Sequence, residues 1–184
     1  AQLDLPAGIS ISGEDVTLLE ELGEGGFGKV HAGTWRHTTL FSTRVAVKEL
    51  KQSVLSEQAK KEFIAEVIVH SHLDSPYIVK LFGVTFKQSY CMVMELMDNG
   101  SLDSYLRKNN YPQVTWEFRI QLAHDIAAGL DHLHTQPHPI IHCDLKSLNV
   151  LLDKDFRAKL ADFGLATVKN ETVSKMQSTS QLSG

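Results

Sequence analysis

Cysteine is scarce in this 184-residue chain, with only Cys91 and Cys143. Two thiols cannot build a disulfide scaffold, and a reducing, cytoplasmic setting is the expectation. Long apolar runs are missing too: none approaches the roughly 18 residues a membrane helix needs, and nothing reads as a signal peptide. There is no surplus of positive charge. Lys and Arg number 18 against 22 Asp and Glu, a formal charge of −4, which argues against a nucleic-acid partner. No internal repeat is visible. What remains is ordinary globular material, 42% hydrophobic and 22% charged, enough for one domain or two small lobes sharing an interface. Because the chain opens on Ala1 and stops at Gly184 in a polar stretch, it is expected to be a piece of a longer protein.

Residues 1–14 are mixed and read as a loose lead-in. Short extended runs punctuated by glycine follow: Leu18–Leu22, Lys29–Trp35 and Val45–Leu50 are expected to form an antiparallel meander. Ser56 is placed to cap a helix reaching about Leu73. Ala59, Phe63, Glu66, His70 and Leu73 fall on one face of it, which sets a carboxylate inside a largely apolar stripe. Ser75-Pro76 ends the helix, and Ile78–Val84 and Tyr90–Leu96 read as strands. The turn Asp98-Asn99-Gly100 separates this strand-rich half from a helical one. There, Ser101–Lys108 reads as a short helix. Thr115 caps a longer one with Phe118, Leu122, Ile126, Leu130 and Leu133 at helical spacing. Val150–Leu152 and Ala158–Ala161 are short apolar runs, and Thr167 to Gly184, rich in Ser and Thr, is expected to be mobile.

Three constellations carry chemistry. Gly23-Glu24-Gly25-Gly26-Phe27-Gly28 lets backbone approach phosphates closely. A dinucleotide fold would need a helix after the glycines, but Lys29–Trp35 looks like a strand. A Walker A loop would need a hydroxyl where Val30 stands. A phosphate-covering hairpin and a plain glycine-rich hairpin both stay open on this motif alone. The second constellation is Lys48, at the end of Val45-Ala46-Val47, with Glu66 as partner: a buried carboxylate is expensive unless paired. The third is His142-Cys143-Asp144-Leu145-Lys146-Ser147-Leu148-Asn149, followed by Asp162-Phe163-Gly164. Asp144 can act as a general base on a loop, and Asn149 and Asp162 offer the oxygen ligands Mg²⁺ prefers.

Together these motifs resemble the eukaryotic protein kinases, from about Val16 onward. The resemblance implies an α+β bilobal fold, with an antiparallel-sheet N-lobe over 16–97 including the hinge and a partial helical C-lobe over 98–184. It implies transfer of the ATP γ-phosphoryl group to Ser or Thr hydroxyls of proteins, with ATP and Mg²⁺ as cofactors and protein substrates and upstream regulators as partners. By the same resemblance Leu22, Gly23, Glu24, Gly25, Gly26, Phe27 and Gly28 lie over the nucleotide, and Lys48, oriented by Glu66, holds its phosphates. Adenine sits between Val30 and Ala46 above and Leu151 below, bonded to backbone around Glu95–Met97, with Met94 gating the back pocket. Asp144 accepts the substrate proton, Lys146 neutralises charge near the transferred group, and Asn149 and Asp162 bind Mg²⁺. Lys146, two residues after Asp144, is the pattern of kinases acting on Ser or Thr. Gly33-Thr34-Trp35 and Asp162–Lys169 resemble the tyrosine-kinase-like branch, the second stretch resembling the activation segment of Raf kinases.

Three departures stand out. Cys143 replaces the arginine usual between His142 and Asp144. His70 stands where the family places an apolar side chain linking its helix to the Asp-Phe-Gly segment. The Ala-Pro-Glu motif and the helices after it are absent, so the 184-residue piece alone is expected to be inactive. The rival from another class is a pseudokinase, a nucleotide-sensing scaffold without transfer; Lys48, Asp144, Asn149 and Asp162 argue against it. His132, His134 and His138 straddle a helix end and are read as ordinary solvated imidazoles rather than a zinc site.

Overall fold

The computed structural model describes residues 5–24, 28–50, 56–86, 89–109 and 114–169. Strands β1 (Val16–Glu24), β2 (Gly28–Arg36) and β3 (Ser42–Leu50) form the expected antiparallel meander. Helix α1 (Glu57–Ser71) follows, then β4 (Leu81–Thr85) and β5 (Cys91–Glu95). The five strands make one sheet in the order β1-β2-β3-β5-β4. Gly28 is there because β2 runs close to β3: a Cβ would collide with the Glu49 carbonyl. Ile78, expected to begin a strand, instead makes a single bridge to Leu160, and β4 proper starts three residues later. Its side chain is needed in the core of the helical half, where it is 1% exposed.

The helices start where their caps put them. Ser56 Oγ accepts from Ala59 N at 3.1 Å and Glu57 sits in the first turn of α1, satisfying an orphan donor and the helix dipole together. Ser101 caps α2 (Leu102–Lys108) and Thr115 caps α3 (Trp116–His134) in the same way. Then come β6 (Ile140–Ile141), a 3₁₀ turn over Ser147–Asn149, β7 (Val150–Leu152), β8 (Ala158–Leu160) and β9 (Thr167–Val168). The last is a correction: Thr167 and Val168, expected in a mobile tail, pair antiparallel with Ile141 and Ile140. The rest of that tail, from residue 170, lies outside the described residues.

The described part of the lead-in, from Leu5 on, is not loose. Among its described residues, Ile9 to Ile11 lie along the free edge of β4: Val84 N donates to Ile9 O at 2.9 Å and Ile11 N to Val84 O at 2.7 Å. Two apolar clusters flank the sheet. One joins Leu50, Val84 and Met92 to Ala59, Phe63 and Val67 of α1; the other holds Val45, Val47, Cys91 and Val93. A third, around Leu122, Leu133, Leu152, Leu160 and Phe163, is the core of the helical half. The turn at Asp98–Gly100 is tied to that half, with Leu152 N donating to Gly100 O at 2.8 Å and Asn99 Nδ2 to Asp153 O at 2.6 Å.

Candidate active site

Alternation along β3 decides what enters the cleft. Ala46 and Lys48 share one face of the strand while Val45 and Val47 face the opposite cluster. Register does the rest: Ala46 pairs with Ala32 and Met94, and Lys48 with Val30 and Met92. A cavity of about 470 Å³ opens between the sheet and the helical half. Its roof holds Leu22, Gly23, Gly28, Val30, Ala46 and Lys48; Met94 through Met97 form its back edge, and Leu148, Asn149, Leu151, Ala161 and Asp162 its floor.

The polar groups converge at one end. Lys48 Nζ lies 2.7 Å from Glu66 Oε1 and 3.2 Å from Asp162 Oδ1. Burial alone would drive the ammonium toward neutrality, but Glu66 and Asp162 hold it protonated, above the usual lysine range. Opposite, Asp144 Oδ2 accepts from Lys146 Nζ at 2.7 Å and from Asn149 Nδ2 at 3.0 Å. The Lys146 hydrogen bond, with help from Asn149, holds the Asp144 carboxyl below its ordinary range. Asp162 takes a left-handed backbone, φ 65°, so its carboxylate lines the cavity while the next side chain, Phe163, is buried. The His142 ring fixes this loop: Nδ1 accepts from Asp144 N at 3.4 Å and Nε2 donates to Ala161 O at 3.0 Å, which selects the Nε2–H tautomer.

The family model for protein tyrosine and serine/threonine kinase matches residues 16–183. The chain belongs to this kinase family. Among its relatives, the LysM domain receptor-like kinase 10 of Oryza sativa subsp. japonica is 40% identical over 161 residues, 87% of this chain and 25% of that protein. The receptor-like serine/threonine-protein kinase ALE2 of Arabidopsis thaliana is 40% identical over 152 residues, 82% of this chain and 19% of its own length. The chain thus spans less than a third of the length of these curated relatives. Membership implies an ATP substrate, and a divalent metal as is usual for the family. Asn149 and Asp162 fit such an ion, being hard oxygen donors on the cavity floor. No helix among the described residues is long and apolar enough to cross a membrane.

Not every expected residue enters the cavity. Gly25, Gly26 and Phe27 lie outside the described residues, and Glu24 is exposed at the end of β1 without lining the cavity. Asp144 and Lys146 stand beside it, linked through Asn149. Glu95 lines it and also anchors the connection behind it: its carboxylate pairs with Lys159 of β8 at 2.6 Å and accepts from Lys80 N at 3.2 Å. Val79, Gly100, Ser101, Ser104, Leu148 and Ala161 line the cavity but are not among the expected residues. Most are small or apolar, with no chemistry to mark them.

His70 makes the link for which the family uses an apolar side chain. Only 2% exposed, it contacts the Phe163 ring at 4.9 Å, and Nε2 donates to Val79 O at 2.6 Å. Burial pushes its pKa from 6.5 to about 4, with the Val79 bond acting the other way. The unfolded chain then binds more protons across that window, so stability should fall as pH drops from 6.5 toward 4, by about 3 kcal/mol in all. His70→Leu should flatten this slope. Denaturant melts of both proteins at about pH 7, 5.5 and 4.5 are the check; parallel declines would show that His70 is not held uncharged.

Proposed function

We propose that the protein carrying this chain is an ATP-dependent serine/threonine protein kinase. The observation that carries this reading is Lys48 held between Glu66 and Asp162 in a cavity whose floor joins, through Asn149, to Asp144 and Lys146. Adenine lies between Val30 and Ala46 above and Leu151 below, bonded to backbone around Glu95–Met97, with Met94 at the rear. Gly23 and Gly28, in the cavity roof, lie over the phosphates, and Lys48 binds them as a fixed cation. Mg²⁺, held by Asn149 and Asp162, supplies neutralisation of phosphate charge. Asp144 orients the substrate hydroxyl and takes its proton; Lys146, 2.7 Å away, meets the charge that develops on the transferred group.

The Ser/Thr preference rests on Lys146 and on the serine/threonine kinase among the relatives. On this reading residues 16–97 are the N-lobe with its hinge and the chain beyond is C-lobe. The site works in the cytoplasm on protein substrates, under upstream regulators. Incubating the full-length protein with a generic protein and γ-labelled ATP, then identifying the labelled amino acids, is the test. Phosphoserine and phosphothreonine are expected. Label on tyrosine alone would overturn the substrate class, and nucleotide-dependent melting without any transfer would leave a nucleotide-sensing scaffold instead.

A further inference from the structure

The lead-in crosses β4 at a place where β4 has no side chain. A Cβ on Gly83 would run into the Ile9 carbonyl oxygen and lie 2.8 Å from Ile11 Cδ1. Glycine inside a strand is unfavourable by propensity and marks a close backbone approach. Here the approaching backbone is residues 9–11, bonded to Val84 through both of its main-chain groups. The strap then grips both sides of the sheet. Ile11 joins the cluster of Val45, Val47, Cys91 and Val93, while Leu5 and Ile9 join the cluster that contains Ala59, Phe63 and Val67 of α1. A turn at Pro6–Ile9, with Gly8 at φ 80°, folds Leu5 back toward that second cluster.

Helix α1 packs against β4, the strand to which the strap is bonded. On α1, Phe63 and Val67 flank Glu66, whose carboxylate reaches Lys48 at 2.7 Å. We propose that Leu5 and Ile9 are positioning residues for the phosphotransfer site: by filling the cluster between β4 and α1, the strap holds the helix where Glu66 can meet Lys48. This rests on the kinase reading of the site. Neither residue lines the cavity, so any effect reaches the site through the cluster they share with α1 and the sheet.

Two independent ways of removing the strap give the test in the full-length protein. Leu5→Ala with Ile9→Ala deletes its contacts, and Gly83→Ala displaces it without altering any residue of α1 or of the strap. Each should lower kcat/KM roughly 10- to 100-fold, the scale of a misplaced catalytic group. In a Glu66→Gln background the same changes should add almost nothing, because the route they act through is already cut. A full additional loss in that background would overturn the proposal. Hydrogen exchange supplies a readout that needs no activity. The amides of Ala59–His70 should exchange faster in the variants while the β1–β2 hairpin stays as protected as before. Unchanged exchange in α1, or an equal rise throughout, would show that the strap only stabilises the fold. If the wild-type protein transfers no phosphate at all, the kinase reading fails, and the exchange experiment still decides whether the strap holds α1.

Discussion

Replacing Asp144 by asparagine in the full-length protein is expected to lower turnover by roughly 10²- to 10⁴-fold, about 3–5 kcal/mol of barrier, with little change in the affinity for ATP. The substitution is isosteric and Asp144 does not line the nucleotide cavity, so binding should survive. Both hydrogen bonds described for the carboxylate end on Oδ2; on the proposed mechanism Oδ1 is the atom that accepts from the incoming hydroxyl. An amide there can be turned to satisfy Lys146 only by presenting its NH₂ to the substrate, a donor where an acceptor is required. The hydrogen bond from Lys146 also keeps Asp144 ionised below the usual carboxylate range, so the acid limb of kcat should lie low, well away from neutrality. Lys146→Met should shift that limb upward. Steady-state kinetics across pH measure both. Near-normal turnover in Asp144→Asn would remove Asp144 from the chemistry.

Most of this site was legible because its parts are marked by chemistry at fixed spacing. The Lys48–Glu66 pair could be anticipated from one fact, a carboxylate inside the apolar stripe of Ala59, Phe63, His70 and Leu73, since a buried acid needs a cation. Caps at Ser56 and Thr115 were equally plain. What escaped notice is non-local. The strap is three residues of parallel pairing with no period to read, and its one signal is Gly83, a glycine in the middle of a largely apolar strand. Cavity residues such as Ala161 and Ser104 gave no signal either, since their types are common everywhere and only the fold brings them together. His70 was read as a departure, yet its ring does the packing an apolar side chain would do, at the expense of a titration that burial must suppress.

Asp125, which sequence reasoning passed over, should prove among the most sensitive positions for stability. It is completely buried on α3, and its carboxylate accepts from Arg157 Nε at 2.8 Å, Arg157 Nη2 at 2.6 Å and Ala158 N at 3.1 Å. This bidentate pair ties the helix to the start of β8, directly upstream of Asp162. Burial would raise the carboxyl, but the Arg157 hydrogen bonds, His124 and Ala158 N bring it net below the ordinary value. Removing Arg157 strands a buried charge and should cost about 3–5 kcal/mol; removing Asp125 should cost less, and the two losses differ in kind. Asp125→Ala leaves a half-exposed guanidinium that can turn to water, and one orphaned N–H at Ala158. Arg157→Ala leaves a carboxylate at 0% exposure with only the exposed His124 ring, 3.2 Å from Oδ1, still beside it, so burial should raise its pKa. The sign then follows: in wild type the pair's contribution is present at neutral pH and lost as pH falls through the depressed folded pKa. In Arg157→Ala the trapped acid takes up a proton as pH falls, and the deficit relative to wild type should shrink by about pH 5. Asp125→Ala should show no such relief. Urea melts of the three proteins at about pH 7 and 5 are decisive: equal deficits for Arg157→Ala at both would mean that Asp125 is solvated in solution and that the buried pair does not hold α3 to β8.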